Sequence, residues 1–181
     1  SSGSVYGVKK EKKVTEDLEL IPISAYNKTK MVAEKIVESY SHLIKTHIIR
    51  PATVCGISPR MRLDVSVNML SYQALENKKM TVFGGNQIRP NIHILDIVNV
   101  FHHFLKKPNL KSGAYNAGFE NLKILDIAKK IKKITGAKIV VTKSNDQRSY
   151  RQDSNKLLNT GFKNKYSILD AIYEMKEWHK F

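Results

Sequence analysis

The chain has 181 residues, 41% of them hydrophobic, a net charge of +15 and a single cysteine. This length and apolar content suit one domain or slightly more with a real core, the lone Cys55 excludes an internal disulfide framework, and no apolar run is long enough to span a membrane. The positive charge is mostly lysine spread along amphipathic stretches, and its densest runs, 9–13 and 129–133, are broken by Glu11 and Ile131. A nucleic-acid or acidic-membrane partner is therefore not expected. With no signal-like leader, the sequence reads as cytoplasmic.

Residues 1–7 read as the end of a buried strand opening into a loop, and 8–23 as a polar, charged loop without a period. From 26 to about 44 the apolar residues Met31, Ala33, Ile36, Val37, Tyr40 and Ile44 recur at helical spacing, with Ser24 as the cap. Residues 46–50 form a β-branched strand ended by Pro51, and 51–59 read as a loop. A helix follows over about 64–77, with Val65, Met69, Tyr72 and Leu75 as its core face. Residues 80–83 predict a strand, 84–86 a turn and 90–93 an extended segment. A helix over 94–105 is stopped by Lys106, Lys107 and Pro108. A strand and turn at 114–118, a helix over 124–134 closed by Gly136, and a strand at 138–141 come next. Residues 144–155 are polar and irregular, and 168–178 form a last amphipathic helix. Strands alternating with helices make this an α/β chain whose sheet needs further strands to finish it.

The chemistry concentrates near the start. Tyr26 and Lys30 stand four residues apart at the head of a helix, which puts both on one face. An ammonium beside a phenol favours the phenolate, and the pair is equipped to move a proton at a hydroxyl. Spacing alone is weak evidence, because Tyr6 and Lys10 form the same pair. Context raises Tyr26: a helix starts there, and a Ser-Ser-Gly-Ser turn precedes it. Cys55 has no activating histidine in a recognisable arrangement, so it reads as a core residue. No metal site is legible, since the adjacent His102 and His103 cannot share a helical face as ligands.

Four collinear segments carry a resemblance: Ser1 to Gly7, Tyr26-x-x-x-Lys30, Arg50 to Gly56, and Arg89 to Ile97. Together they resemble the extended short-chain dehydrogenase/reductases, and more narrowly the NAD-dependent sugar-nucleotide epimerases and dehydratases. The resemblance implies a partial Rossmann-type parallel sheet with a smaller α/β substrate-binding region. Residues 1–56 would be the last part of the cofactor domain. Residues 57–181 would be mostly substrate-binding, with about 88–108 returning to the first part. It implies Ser2, Tyr26 and Lys30 as the catalytic set, with Lys30 also on the cofactor ribose and Pro51 at the nicotinamide. Ser4, Thr53, Asn68, Arg89 and Arg148 would bind a nucleotide-linked sugar, and Arg60 and Arg62 flank a substrate loop. The cofactor would be NAD or NADP, and the helix at Tyr26 would form a homodimer. Family members also carry a Gly-rich nucleotide-binding turn, and no Gly-x-Gly-x-x-Gly occurs in this sequence.

Dehydratases of this kind carry an Asp-Glu pair where this chain has Gly3-Ser4, and neither residue can serve as that acid/base pair. The expectation is therefore epimerisation, at C4, of a sugar nucleotide. A reductase or dehydrogenase with the same residues, and a fragment that binds sugar nucleotide without catalysis, remain the alternatives.

Overall fold

The computed structural model describes residues 1–144 and 149–180. Its elements, in chain order, begin with a 3₁₀ turn, Gly3–Tyr6, and helix α1, Ala25–Ser39. Strands β1 (His47–Pro51) and β2 (Thr53–Cys55) lead to α2 (Ser66–Asn77). Then come β3 (Lys79–Phe83), β4 (Ile88–His93), α3 (Ile94–Lys106), β5 (Gly113–Ala117) and β6 (Glu120–Lys123). Helix α4 (Ile124–Thr135), β7 (Lys138–Thr142), the short α5 (Asn155–Leu158) and α6 (Ile168–Trp178) complete the chain.

The α/β class holds, and three of the four strand pairings are parallel. β1 pairs with β5 in parallel, Ile49 opposite Tyr115, across a crossover that contains α2 and α3. β2 pairs in parallel with β4, which pairs antiparallel with β6, while β3 and β7 form a separate parallel pair. One apolar cluster joins α2, α4 and α6 through Leu70, Ile127, Ile131 and Ile172 over Met80 and Val82. A second places Ile97, Val100 and Phe104 of α3 against Ile49 and Tyr115 of the β1–β5 pair.

Several local expectations are corrected. Residues 1–7 form no strand: Ser2 caps the 3₁₀ turn, and Gly7 ends it at φ 69°. A Cβ on Gly7 would sit 2.0 Å from the Ile21 carbonyl oxygen, so the chain path requires glycine there. The expected loop 51–59 contains β2, whose three residues gain their strand character only by pairing with β4. The core face of α2 is Val67, Leu70, Ser71, Ala74 and Leu75, rotated from the expected Val65, Met69, Tyr72 and Leu75. Val65 is the N-cap and lies outside the helical stripe.

The largest departure is α1. Ser24 caps it by accepting from the Asn27 amide at 3.2 Å, as its sequence predicts. Its apolar stripe, however, faces outward: Val32, Ile36, Val37 and Tyr40 are all exposed. The two buried residues of α1 are Asn27 and Glu34. They lie seven residues apart and therefore share a face two turns apart.

Candidate functional site

The Ser2 turn, the head of α1 and the β1–β2 corner converge on one cleft of about 490 Å³. Its lining includes Ser2, Ser4, Tyr26, Asn27, Pro51, Thr53, Arg62 and Tyr150. Five of the expected catalytic and binding residues, scattered over positions 2–53, thus meet around one space with Arg62.

The serines form a short relay. The Ser4 hydroxyl donates to Asn27 Oδ1 at 2.7 Å, and the Ser2 and Ser4 hydroxyls are 2.8 Å apart. With the Ser4 proton committed to Asn27, Ser2 is the donor between the two hydroxyls. Its Oγ also accepts from the Ser4 amide at 3.2 Å. The Ser2 proton is therefore the one that a ligand oxygen in the cleft can redirect. Gly3 allows the turn to close: a Cβ there would lie 3.0 Å from the Pro51 carbonyl oxygen and 3.2 Å from the Tyr150 hydroxyl.

Tyr26, in the first turn of α1, is 56% exposed, and its ring borders the cleft. The Lys30 ammonium lies 5.6 Å from the centre of that ring, as the four-residue spacing requires. Across the cleft, Arg62 makes a two-pronged contact with Asp64, at 2.9 and 2.6 Å. That contact holds the guanidinium pKa above its ordinary value and the Asp64 carboxyl below its own.

Two other expected substrate residues stand outside the described lining. Asn68 is buried at the start of α2, where Oδ1 accepts from the Gly56 amide at 3.0 Å and Nδ2 donates to the Arg62 carbonyl at 3.0 Å. Its amide thus shapes the 56–62 loop from beneath. Arg89 lies on β4 opposite Leu122, and its Nη1 donates to the Ile88 carbonyl at 3.2 Å. Arg148 falls outside the described residues. Cys55 is buried, which pushes its thiol up to about 12 and leaves it an inert core residue. Among the described residues no group of three or more His, Cys, Asp or Glu gathers as metal ligands would, and no helix is long and apolar enough to cross a membrane.

Sequence reasoning missed Asn27 and Tyr150, and it gave Arg62 little weight. Asn27 had a legible signal, since it and Glu34 lie seven residues apart on one face of α1, but the sequence reading followed only the apolar stripe. Tyr150 had none, because only the folded chain brings it beside Gly3. Also missed was a buried cluster that links β1, α1 and the Ser2 turn. Arg50 reaches Glu34 through Nε at 2.9 Å and Nη2 at 2.7 Å, and its Nη1 donates to the Tyr6 hydroxyl at 2.8 Å. Tyr6 in turn donates to Asn116 Oδ1 at 2.8 Å. Burial, the largest influence, pushes the Tyr6 phenol up to about 12, so it stays protonated as that donor. Burial alone would weaken the charge on Arg50, but the hydrogen bonds and charges of Glu34 and Tyr6 outweigh it and raise its pKa.

Comparison with known proteins identifies the family. Residues 1–118 match the model of the NAD dependent epimerase/dehydratase family. The chain is 38% identical to the uncharacterized UDP-glucose epimerase YtcB of Bacillus subtilis (strain 168), over 76% of this chain and 44% of that protein. It is 32% identical to the UDP-glucose 4-epimerase of Lactobacillus helveticus, over 99% of this chain and 62% of that one. The fold superposes with a TM-score of 0.85 and 32% identity on a crystal structure of UDP-glucuronic acid 4-epimerase from Bacillus cereus, in complex with UDP-glucuronic acid and NAD. That match covers 99% of this chain and 60% of the other. The chain thus spans about half to three fifths of the length of these relatives. It belongs to the NAD-dependent epimerase/dehydratase family.

Proposed function

We propose that this chain carries the proton-transfer and sugar-binding side of an NAD-dependent sugar-nucleotide epimerase acting at C4. The observation that carries the reading is the convergence of Ser2, Ser4, Tyr26, Pro51 and Thr53 on one cleft, with Lys30 against the Tyr26 ring. The relatives named above, two of them 4-epimerases, support it.

The residues present fit the nicotinamide end of NAD. Tyr26 and Pro51 border an open cleft and Lys30 supplies a cation beside it, although no glycine-rich phosphate loop occurs in the sequence. NAD, when bound, supplies a reversible hydride acceptor. Tyr26 Oη takes the proton from the sugar hydroxyl and later returns it, with the Lys30 ammonium 5.6 Å from the centre of its ring. Ser2 turns its proton from Ser4 to the same sugar oxygen and orients it. Thr53 and Ser4 hold the sugar, and Asn68, Arg89 and Arg148 serve the nucleotide diphosphate, Asn68 by fixing the loop at 56–62. Gly3-Ser4 offers no second acid for water elimination, which favours epimerisation over dehydration.

For the chain by itself, the lack of a glycine-rich loop favours a second reading: it binds sugar nucleotide and holds NAD weakly. The outward apolar face of α1, with Val32, Ile36 and Val37, suits a second copy of the chain as partner.

The test is conversion of UDP-glucose to UDP-galactose with NAD, in the chain supplemented with the glycine-rich half of a relative. Turnover without net NADH formation, lost by about 10²- to 10⁴-fold in Tyr26→Phe, is expected. Steady NADH production would favour a dehydrogenase. Wild-type rates in Tyr26→Phe would remove the proposed acid/base.

A further inference from the structure

We propose that Arg50 and Glu34 are positioning residues: their buried pair fixes the helix that carries Tyr26 and Lys30 against the turn that carries Ser2 and Ser4. The argument starts from how α1 is attached. A surface helix ordinarily docks through an apolar stripe, but the stripe of α1 points away from the rest of the chain. Two polar side chains, Asn27 and Glu34, dock it instead. Asn27 receives the Ser4 hydroxyl at the helix head. Glu34, one turn beyond Lys30 on the same face, receives both prongs of Arg50.

Arg50 is well placed to be the hub. It lies on β1, directly before Pro51 at the cleft, and is 3% exposed, against 2% for Glu34. Its remaining donor serves the Tyr6 hydroxyl at 2.8 Å and the Glu16 carbonyl at 3.1 Å, and its guanidinium carbon lies 5.0 Å from the centre of the Tyr6 ring. Tyr6 ends the turn that begins at Ser2. From the other side, Gln152 Nε2 donates to the Arg50 carbonyl at 2.7 Å. One residue therefore ties the strand before Pro51 to the helix of Tyr26 and to the turn of Ser2. Apolar contacts tolerate sliding, whereas a two-pronged carboxylate–guanidinium contact fixes distance and angle together. The pair sets the spacing between the proton acceptor and the serine hydroxyls to which it presents a substrate.

A purely structural role makes a different prediction. Replacing a buried ion pair with apolar residues of similar volume is often neutral or stabilising. The double variant Glu34→Leu/Arg50→Met should therefore keep the fold while losing the directional contacts to α1 and Tyr6. The experiment is amide hydrogen exchange, read by peptide, on wild type, Glu34→Gln and this double variant, with melting temperatures alongside. Positioning predicts that 25–39 exchanges at least tenfold faster in the double variant while α4 and α6 keep their protection, even where its melting temperature equals or exceeds that of wild type. Glu34→Gln, which keeps one acceptor for Arg50, should fall between. Wild-type protection of α1 in the double variant, or faster exchange spread evenly over all helices, overturns the proposal. Should Glu34→Gln fail to fold, the double variant decides alone. The kinetic counterpart rests on the function proposed above: the double variant should lose kcat at least tenfold with KM for UDP-glucose within about twofold. Absence of turnover in wild type would remove that function and leave the exchange result standing.

Discussion

Around α2, α4 and α6 the chain packs Val67, Leu70, Ala74, Ile127, Ile131 and Ile172 into a continuous apolar cluster. Around α1 it packs an asparagine, a glutamate and an arginine, and turns valine and isoleucine outward. The difference separates two tasks. Apolar burial supplies stability without specifying direction, and it suffices for a scaffold. Hydrogen-bonded polar groups add little net stability but specify geometry, and here they join the elements that carry Ser2, Tyr26 and Lys30. The arrangement also leaves one face of α1 free for a partner.

The contrast can be broken most forcefully at Glu34. Glu34→Leu leaves the Arg50 charge buried and unpaired, which costs about 3–5 kcal/mol in urea unfolding. Adding Arg50→Met should restore most of it, and a single-variant cost below about 1 kcal/mol would erase the distinction between the regions. In the apolar region, Leu70→Ala should cost about 2–5 kcal/mol through lost contacts and a residual cavity. There the loss should leave exchange at the head of α1 no faster relative to the other helices.

The next effect is seen in alkali. Tyr6 titrates near 12 in the fold against about 10 in an unfolded chain, so between these values the folded state holds more protons. Stability therefore falls as pH rises from about 10 to 12, by up to about 2–3 kcal/mol. Tyr6→Phe should flatten that part of the pH–stability curve, and an unchanged slope would remove the phenol from the buried cluster. A smaller change is expected at the helix cap: Ser24→Ala should cost about 1 kcal/mol by freeing the Asn27 amide. Smallest of all, Ile36→Lys on the outward face should alter the unfolding free energy of the isolated chain by no more than about 0.5 kcal/mol.

The same contrast explains what the sequence disclosed. Local patterns located α1, α3, α4 and α6 and the longer strands, because period and caps are written within each segment. They did not reveal β2 or β6, since each is short and becomes a strand only by pairing with β4. They also could not rank the two Tyr-x-x-x-Lys pairs by spacing. Tyr6 is fully buried under Arg50, whereas Tyr26 opens onto the cleft, and it was the serine turn and the helix start that favoured the second. The role of Glu34 was not legible because its partner, Arg50, lies sixteen residues away on another element. A buried Glu–Arg contact across elements has no periodic signature.

Residue-resolved NMR during titration with UDP-glucose tests the central claim most directly. The account predicts that the first resonances to move belong to Ser2, Ser4, Tyr26, Asn27 and Thr53, and that they saturate together while those of α4 remain still. Saturable shifts confined to another face, with the cleft residues unmoved, would contradict it.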